Sequence, residues 1–207
     1  MRTTGHRLPT IAAHDRAKSR FRAAARAAAA EVDWAAVGAV VRAHLARWLA
    51  DRPLTTVVVY LALPDEVPIE ALSRRPELGR HRWAVTRTGS TGGLDLSLHP
   101  LASARERHRH GYQQPVAGSD LVVDDEVGVV LVPGLAFDRG GGRLGRGKGY
   151  YDRLLARLGA RVDRVGVTAE ALVGSVPVPA DGHDVAMGWL VTESGLRRAD
   201  PLPSLDG

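Results

Sequence analysis

The chain has 207 residues, enough for one domain with a sizeable core, and it contains no cysteine, which excludes disulfides and thiolate metal sites. Its composition is 44% hydrophobic and 25% charged, which is typical of a folded globular protein and excludes a disordered one. The formal net charge of +5 predicts an anionic partner, such as nucleic acid, a membrane surface or a phosphorylated small molecule.

The N-terminal quarter of the chain predicts two helices. Residues 1–13 lack the apolar segment of a secretory signal and are expected to form a flexible extension ahead of a single domain over residues 14–196. Residues 15–53 are rich in Ala, Leu and Arg, with an interruption near residues 31–33 and a proline at the end. We therefore expect two consecutive helices here.

The rest of the chain alternates apolar, β-branched runs with helical stretches. Buried strands are predicted for TTVVVYLAL, RHRWAVTRT, VGVVLVPGLAF, RVDRVGVTA and MGWLVTES. Residues 89–119 are predicted to be mostly loop, with an edge strand at residues 94–98, and residues 197–207 to be a disordered tail. The pattern indicates an α/β fold, a single three-layer domain with a mainly parallel sheet flanked by helices.

The longest apolar run, residues 57–63, is the length of a strand and too short to cross a bilayer. We therefore expect a cytoplasmic protein without a membrane partner.

The stretch that carries most information is RGGGRLGRGKG, residues 139–149, hereafter the glycine loop. It lies between a predicted strand and the predicted helix YYDRLLARLG, where a loop directs backbone N–H groups and a helix N-terminus toward an anion. Glycines also let the chain approach a phosphate closely.

Three general interpretations compete for the glycine loop. Gly140-x-Gly142-x-x-Gly145 matches the dinucleotide fingerprint, but the helix is expected several residues later and no acidic residue follows at the right distance. Residues 142–148 match most of a P-loop, but Gly149 stands where a Ser or Thr should hold Mg²⁺. The third is a flexible basic tract that binds RNA, although such tracts are usually repetitive and this one is single.

A longer pattern surrounds the loop. Residues 129–155, VVLVPGLAFDRGGGRLGRGKGYYDRLL, resemble the signature of the 5-formyltetrahydrofolate cyclo-ligase family, also called methenyltetrahydrofolate synthetases. Looser similarity extends over about residues 15–195 and includes KSRFR, YLALPDEV, AVTR, YQQP and GHDVAMGWLVTE. The resemblance implies the reaction of ATP with 5-formyltetrahydrofolate, with Mg²⁺, to give 5,10-methenyltetrahydrofolate, ADP and phosphate.

The resemblance also implies site residues. Those expected at ATP are Lys18, Arg22, Arg143, Leu144, Gly145, Arg146, Gly147, Lys148, Gly149, Tyr150 and Tyr151. Lys148, Arg146 and Tyr150 are expected to take part in catalysis; Leu61, Glu66, Arg146 and Tyr150 in binding the folate; and Asp152 and Asp184 in holding Mg²⁺. Lys18 and Arg22 lie one helical turn apart, so both could reach one phosphate, and they include one of the chain's two lysines.

Other interpretations of these residues stay open. Asp152 could be a first-turn acid favoured by the helix dipole, Asp184 a structural partner of an arginine, and Glu66 a solvated acid at a helix start. His183 is expected to be a packing or capping residue rather than a catalyst. The run RERHRHG, residues 105–111, is expected to be solvated, with attraction of a folate polyglutamate tail as the alternative.

Two departures from the family pattern affect the folate side of the site. Ile69 stands where relatives often have Thr, and the loop TGSTGGLDLSLHP has no Met or aromatic residue. An ATP-dependent paralogue acting on a different acceptor is therefore the alternative enzyme. A basic nucleic-acid-binding module is the alternative from another class, opposed by the single RGG-type tract and by an aromatic content of 5%. We expect a monomer that binds 5-formyltetrahydrofolate, polyglutamylated or not, and no nucleic acid.

Overall fold

The structure, a computed structural model, describes residues 11–89, 95–108 and 111–200, with side chains from residue 16 onward. Most of the predicted N-terminal extension and residues 201–207 of the predicted tail lie outside the described residues.

Three α-helices are present in this part of the chain: α1 (Ile11–Ala30), α2 (Trp34–Ala50) and α3 (Tyr150–Leu158). Asp33 separates the first two because its side chain accepts hydrogen bonds from the backbone N–H groups of Ala35 and Ala36, capping α2. The predicted pair of N-terminal helices is confirmed, although α1 begins at Ile11, inside the predicted extension. No described helix has the length and apolar character needed to span a membrane.

The strands, in chain order, are β1 (Thr56–Val59), β2 (Arg82–Thr88), β3 (Leu96–Pro100), β4 (Arg105–Arg107), β5 (Gln113–Pro115), β6 (Val127–Pro133), β7 (Ala136–Asp138), β8 (Arg143–Leu144), β9 (Asp163–Val167), β10 (Val173–Gly174), β11 (Trp189–Thr192) and β12 (Gly195–Arg198). A 3₁₀ helix, Glu70–Arg74, lies between β1 and β2.

The main sheet has the strand order β12-β11-β9-β6-β1-β2-β3 within the described residues. Its five central strands are parallel, and β3 and β12 pair antiparallel at the two edges. A two-stranded ribbon, β4-β5, and a small sheet, β10-β7-β8, flank it. The α/β fold with a mainly parallel sheet is confirmed.

Hydrophobic packing covers both faces of the main sheet. Val57 and Val59 of β1 pack with α2 on one face, whereas Val58 packs with α3 on the other. All of β1 is buried, which is why its sequence is continuously apolar rather than alternating. Helix α1 packs outside these layers, where Ala25 contacts the region of Leu135 and Leu144.

The C-terminal boundary differs from the sequence prediction. Residues 197 and 198 were expected in the disordered tail, but they belong to β12, which pairs with β11 as an edge strand. The backbone N–H of Asp200 donates to Arg139 O at 3.0 Å, which ties the chain to the glycine loop. Sequence periodicity missed β12 because a short polar edge strand depends on its neighbour's hydrogen bonds.

The strand order determines where a ligand can bind. From β1 the chain proceeds to β2 on one side, whereas β6, β9 and β11 follow on the other side of β1. The carboxyl ends of β1 and β6 therefore diverge at a topological switch point, the usual position of a ligand crevice in an open parallel sheet. Glu66 follows β1 and the glycine loop follows β6 and β7, so the fold brings these two segments to one crevice.

Candidate active site

A cavity of about 630 Å³ opens at this switch point. Every residue predicted from the sequence to bind ATP, folate or metal lines it, including Lys18 from α1 and Asp184 from the segment before β11. The cavity also has lining residues that the sequence did not single out as site residues: Tyr60, Leu63, Thr86, Thr88, Leu96, Tyr112, Gln113, Pro133, Gly134, Asp181 and His183.

The glycine loop has a backbone conformation that requires glycine at two positions next to Lys148. Gly147 has φ +96° and Gly149 has φ +64°, in the left-handed region that side chains disfavour. Gly149 is also the N-cap residue of α3, so the loop delivers the chain directly to a helix N-terminus at the cavity. This arrangement fits the predicted anion-binding role of the loop.

Asp138 shapes the entry to the loop. It is buried, its Oδ1 accepts from the backbone N–H of Gly142 at 2.9 Å, and its Oδ2 accepts from the N–H of Val178 at 2.7 Å. A side chain at position 142 would collide with that carboxylate. Asp138 was not identified as important from the sequence, although an acidic residue followed by glycines is typical of side-chain-closed turns.

Arg143 and Asp152 form a buried ion pair. Arg143 Nη2 donates to Asp152 Oδ2 at 2.7 Å, and the two side chains are only 7% and 10% exposed. Arg143 therefore holds the glycine loop against the first turn of α3 rather than presenting a free cation. Asp152 has a second role besides the predicted metal ligation, and that ligation stays a prediction.

Lys18 lies between two carboxylates. Its Nζ donates to Asp181 Oδ2 at 2.6 Å and to Asp184 Oδ2 at 2.8 Å. Burial opposes the charged form of Lys18, but the two hydrogen bonds outweigh it and raise the Lys18 pKa above its usual value. Burial likewise opposes ionisation of Asp184, yet the bonds from Lys18 and from the Asp181 N–H lower the Asp184 pKa. The structural alternative for Asp184 named an arginine, whereas the partner is this lysine.

The same segment offers a group of potential metal ligands. Asp181, His183 and Asp184 each have one ligand atom within 4.8 Å of the others. Asp152 is not part of this group, so the described structure links the predicted ligand Asp184 with Asp181 and His183 instead. Carboxylate oxygens suit Mg²⁺, and Asp181 and Asp184 fit that ion.

Arg22 and Arg146 connect the glycine loop to other elements. Arg22 Nε donates to Gly145 O at 3.1 Å, which ties α1 to the loop. Arg146 Nη2 donates to Asp65 Oδ1 at 2.6 Å and to Glu66 Oε1 at 3.2 Å, across the crevice. Lys148 is exposed, and among the described residues its ammonium group has no ion-pair or hydrogen-bond partner.

Glu66 lies in a turn immediately after β1. Its Oε2 accepts from the backbone N–H of Leu63 at 3.0 Å, and its side chain is 9% exposed. Burial raises the pKa of Glu66, although the Leu63 N–H and Arg146 partly oppose the shift. The interpretation of Glu66 as a solvated acid is therefore wrong.

Two tyrosines with buried hydroxyl groups lie near Glu66. Among the described residues the Tyr60 Oη has no hydrogen-bond partner, and burial raises the pKa of the phenols of both Tyr60 and Tyr151, although Thr86 partly opposes the shift at Tyr151. Tyr151 lines the cavity, and its ring also packs with the core under α3 beside Arg143. Its predicted contact with ATP stays a prediction. Tyr150, at the start of α3, lies near Arg153 and is half-buried.

The far side of the cavity is formed by β2 and β5. Thr86 and Thr88, two residues apart on β2, both line it, as the period of a strand requires. Thr88 Oγ1 lies 3.0 Å from Tyr112 Oη and donates to Gln114 Oε1 at 2.8 Å. The period of β2 could have pointed to both threonines from the sequence, whereas Tyr112 reaches the cavity only because the β4-β5 ribbon folds onto β2.

Comparisons with known proteins bear on this geometry. Residues 12–193 match the model of the 5-formyltetrahydrofolate cyclo-ligase family. This chain belongs to the 5-formyltetrahydrofolate cyclo-ligase family. The family resemblance inferred from the glycine loop and its surroundings is thereby confirmed.

Individual relatives carry the same name. A 5-formyltetrahydrofolate cyclo-ligase of Mycolicibacterium smegmatis is 45% identical over 67 residues, which cover 32% of this chain and 34% of the relative. A mitochondrial 5-formyltetrahydrofolate cyclo-ligase of Arabidopsis thaliana is 40% identical over 87 residues, which cover 37% of this chain and 31% of the relative. The aligned segments thus span about a third of the length of these two relatives.

Solved structures extend the comparison over almost the whole chain. The NMR structure of a 5,10-methenyltetrahydrofolate synthetase from Aquifex aeolicus is similar with a TM-score of 0.70 and 27% identity, covering 92% of this chain and 96% of that one. A 5,10-methenyltetrahydrofolate synthetase from Mycoplasma pneumoniae shares the fold, with a TM-score of 0.65 and 16% identity over 87% of this chain and 98% of that one.

Proposed function

We propose that this protein is a 5-formyltetrahydrofolate cyclo-ligase, which uses ATP to close 5-formyltetrahydrofolate to 5,10-methenyltetrahydrofolate with release of ADP and phosphate. The observation that carries the proposal is that the glycine loop and the buried Glu66 line one cavity. Family membership and the names of the relatives support the same reaction.

The glycine loop is the proposed site of the triphosphate. The N-terminus of α3 and the left-handed glycines offer backbone N–H groups, and Lys148 offers a cation without a carboxylate partner among the described residues. Lys18, Arg22 and Arg146 lie around the same loop and could turn toward phosphate oxygens. Their present partners must then be exchanged for the anion.

Mg²⁺ is the proposed metal, held by Asp184 with Asp181, and with Asp152 as the further candidate. When bound with ATP, Mg²⁺ supplies charge neutralisation in phosphoryl transfer. Because Lys18 already contacts both Asp181 and Asp184, we expect its ammonium to move toward phosphate when a divalent cation takes those carboxylates. The donor set fits a hard cation.

The proposed chemistry activates a poor leaving group. The formyl oxygen attacks the γ-phosphorus and ADP leaves; N10 then attacks the formyl carbon, loses its proton, and phosphate departs with the former formyl oxygen. The protein's part is to position the two substrates and to stabilise the charge that develops during transfer. Lys148 and Arg146 are the cations proposed for that charge, with Tyr150 beside them.

The folate is proposed to lie on the other side of the cavity, near Glu66 and Leu61. Glu66 is buried and hydrogen-bonded, so it is positioned to accept a hydrogen bond from the substrate close to the formyl group. Polyglutamylated folate as substrate, action as a monomer, a cytoplasmic location and the lack of a nucleic-acid partner stay predictions.

One assay tests the proposed function. The protein is incubated with 5-formyltetrahydrofolate and Mg-ATP, and the absorbance of the methenyl product is followed. ATP-dependent product formation is expected. ATP binding without product would favour a paralogue with another acceptor, and salt-sensitive RNA binding without ATP binding would favour the nucleic-acid module.

A further inference from the structure

One arginine connects the two sides of the cavity. Arg146 belongs to the glycine loop, whereas Asp65 and Glu66 lie in the turn after β1. Arg146 Nη2 donates to Asp65 Oδ1 at 2.6 Å and to Glu66 Oε1 at 3.2 Å, and Arg146 Nε donates to the same Glu66 oxygen at 3.4 Å. The bond to Asp65 is the shortest of the three, so Asp65 is the principal partner of Arg146.

These bonds occupy the part of the guanidinium that a phosphate needs. An arginine binds a phosphate in a bidentate way through two adjacent nitrogens, either Nε with Nη2 or Nη1 with Nη2. Nη2 belongs to both pairs, and in Arg146 it already donates to Asp65 and to Glu66. Bidentate contact of Arg146 with a triphosphate therefore requires that at least one of these bonds be broken.

The same arginine covers one oxygen of Glu66. Glu66 Oε2 accepts from the backbone N–H of Leu63, whereas Oε1 accepts from Arg146. The Glu66 side chain is only 9% exposed, which leaves little room for a further donor beside Arg146. A substrate N–H group can therefore bond to Oε1 only when Arg146 moves away.

We propose that Asp65 is a positioning residue that holds Arg146 over Glu66 until ATP binds, and that ATP prepares the site for the acceptor by drawing Arg146 away. Asp65 does not line the cavity, so it acts through Arg146 rather than on a substrate. Each substrate then favours binding of the other, because both require Arg146 to leave Glu66, and this coupling is reciprocal. The inference rests on the proposed function and specifies how its two substrates are coupled.

The first test removes the charge of Asp65 and keeps the size of its side chain. Isothermal titration of Asp65→Asn with Mg²⁺ and AMP-PNP, a non-hydrolysable ATP analogue, should give a dissociation constant about threefold lower than that of wild type. This is the effect expected when a partly exposed ion pair no longer competes with the ligand. Asp65→Glu keeps the competing charge and should bind AMP-PNP within about twofold of wild type. Replacing a residue that only supports the fold would not tighten binding.

Asp124 offers a matched control. Its bond to Arg157 is 2.7 Å long and the two side chains are 33% and 41% exposed, against 2.6 Å, 35% and 37% for Asp65 and Arg146. Asp124 does not line the cavity, so Asp124→Asn changes the net charge equally without releasing a cation of the cavity. Its affinity for AMP-PNP should equal that of wild type. Thermal melting establishes that each variant is folded.

The second test measures the coupling itself. In wild-type protein, saturating AMP-PNP with Mg²⁺ should lower the dissociation constant of 5-formyltetrahydrofolate about fivefold, and saturating 5-formyltetrahydrofolate should lower that of AMP-PNP by the same factor. In Asp65→Asn the factor should fall to about twofold, because Arg146 is already held less firmly over Glu66.

The outcomes separate this inference from the proposed function. Asp65→Asn that binds AMP-PNP no more tightly than Asp124→Asn overturns the inference, and so does wild-type protein that binds the two substrates independently. In either case the proposed function stands if wild-type protein forms the methenyl product. Wild-type protein that gives no methenyl product overturns the proposed function and this inference with it.

Discussion

The glycine loop is one continuous stretch of chain, whereas the opposite wall of the cavity is assembled from β1, β2 and β5. The loop offers a ligand the backbone conformation of Gly147 and Gly149, together with cations that are hydrogen-bonded to nearby groups. The opposite wall offers a ligand buried side chains such as those of Glu66 and Thr88, which are far apart in sequence. A local motif can therefore encode the first region, while the second exists only after folding.

The two regions also treat charge differently. On the loop side, the described cations Lys18, Arg143 and Arg146 are already paired with carboxylates, so anion binding there requires exchange of partners. On the wall side, burial raises the pKa of Glu66 and of the phenols of Tyr60 and Tyr151. The loop is prepared for a highly charged ligand and the wall for a neutral, hydrogen-bonding one.

The largest expected effect comes from the buried pair that attaches the loop to α3. Arg143→Leu leaves the buried Asp152 without its partner and should lower the free energy of unfolding by about 3–5 kcal/mol. Urea denaturation measures the change. The double variant Arg143→Leu with Asp152→Leu should recover a large part of it, because no unpaired charge remains.

The matched control is an exposed pair of the same chemistry. Arg157→Leu breaks the Arg157–Asp124 pair and should cost only about 0.5 kcal/mol, since water screens exposed charges. If Arg143→Leu and Arg157→Leu lost similar stability, the buried pair would not be what holds the loop.

Lys148 is expected to give the largest catalytic effect. Lys148→Ala should lower kcat/KM by a factor that corresponds to about 2–4 kcal/mol of transition-state stabilisation, by analogy with the loss of an oxyanion donor. Steady-state kinetics with saturating 5-formyltetrahydrofolate gives the value, with the exposed Arg161→Ala as the control. A rate within twofold of wild type would remove Lys148 from the proposed catalytic groups.

Gly147 tests whether backbone conformation carries the loop's function. Gly147→Ala places a Cβ at φ +96° and should cost about 1–2 kcal/mol, seen as weaker ATP binding. Isothermal titration with ATP measures the affinity. Gly188→Ala is the control, because no positive φ and no close contact apply there. Equal affinities of the two variants for ATP would show that the conformation of Gly147 is not needed.

Glu66 is expected to give an effect no larger than that of the Lys148 variant, and it tests the opposite wall of the cavity. Glu66→Gln should raise the folate KM by a factor corresponding to about 1.5 kcal/mol, with KM for ATP unchanged, because an acceptor near the substrate loses its charge. If only ATP affinity changed, the division of the cavity into two sides would be wrong.

The stability of the Glu66→Gln variant relative to wild type is expected to depend on pH. Because the folded-state pKa of Glu66 is raised, its contribution to stability is present below its usual value of 4.5 and is lost as the pH rises through the folded pKa. Gln does not titrate, so the stability of Glu66→Gln relative to wild type should increase between pH 4 and pH 8. Urea denaturation across that range measures the difference in unfolding free energy between the variant and wild type. A difference that does not change with pH would contradict the raised pKa of Glu66.

Particular residues show how far the sequence could be interpreted. The strands β1 and β6 were predictable because they are buried on both faces and therefore continuously apolar. The strand β12 was not, because its residues are polar and it exists through pairing with β11. The sequence shows the charge of Arg143 but not the Asp152 carboxylate that folding brings to 2.7 Å from it, and the predicted contact of Arg143 with ATP stays a prediction.

The sequence by itself determined the family, the α/β class and the position of the glycine loop between a buried strand and a helix. These follow from local patterns, namely strand periodicity, glycine spacing and the residues on either side. Only the tertiary structure decided that Lys18 pairs with Asp181 and Asp184, that Arg146 pairs with Glu66, and that Thr88 meets Gln114. Those contacts join segments far apart along the chain, and their energies depend on burial and distance, which no local pattern specifies.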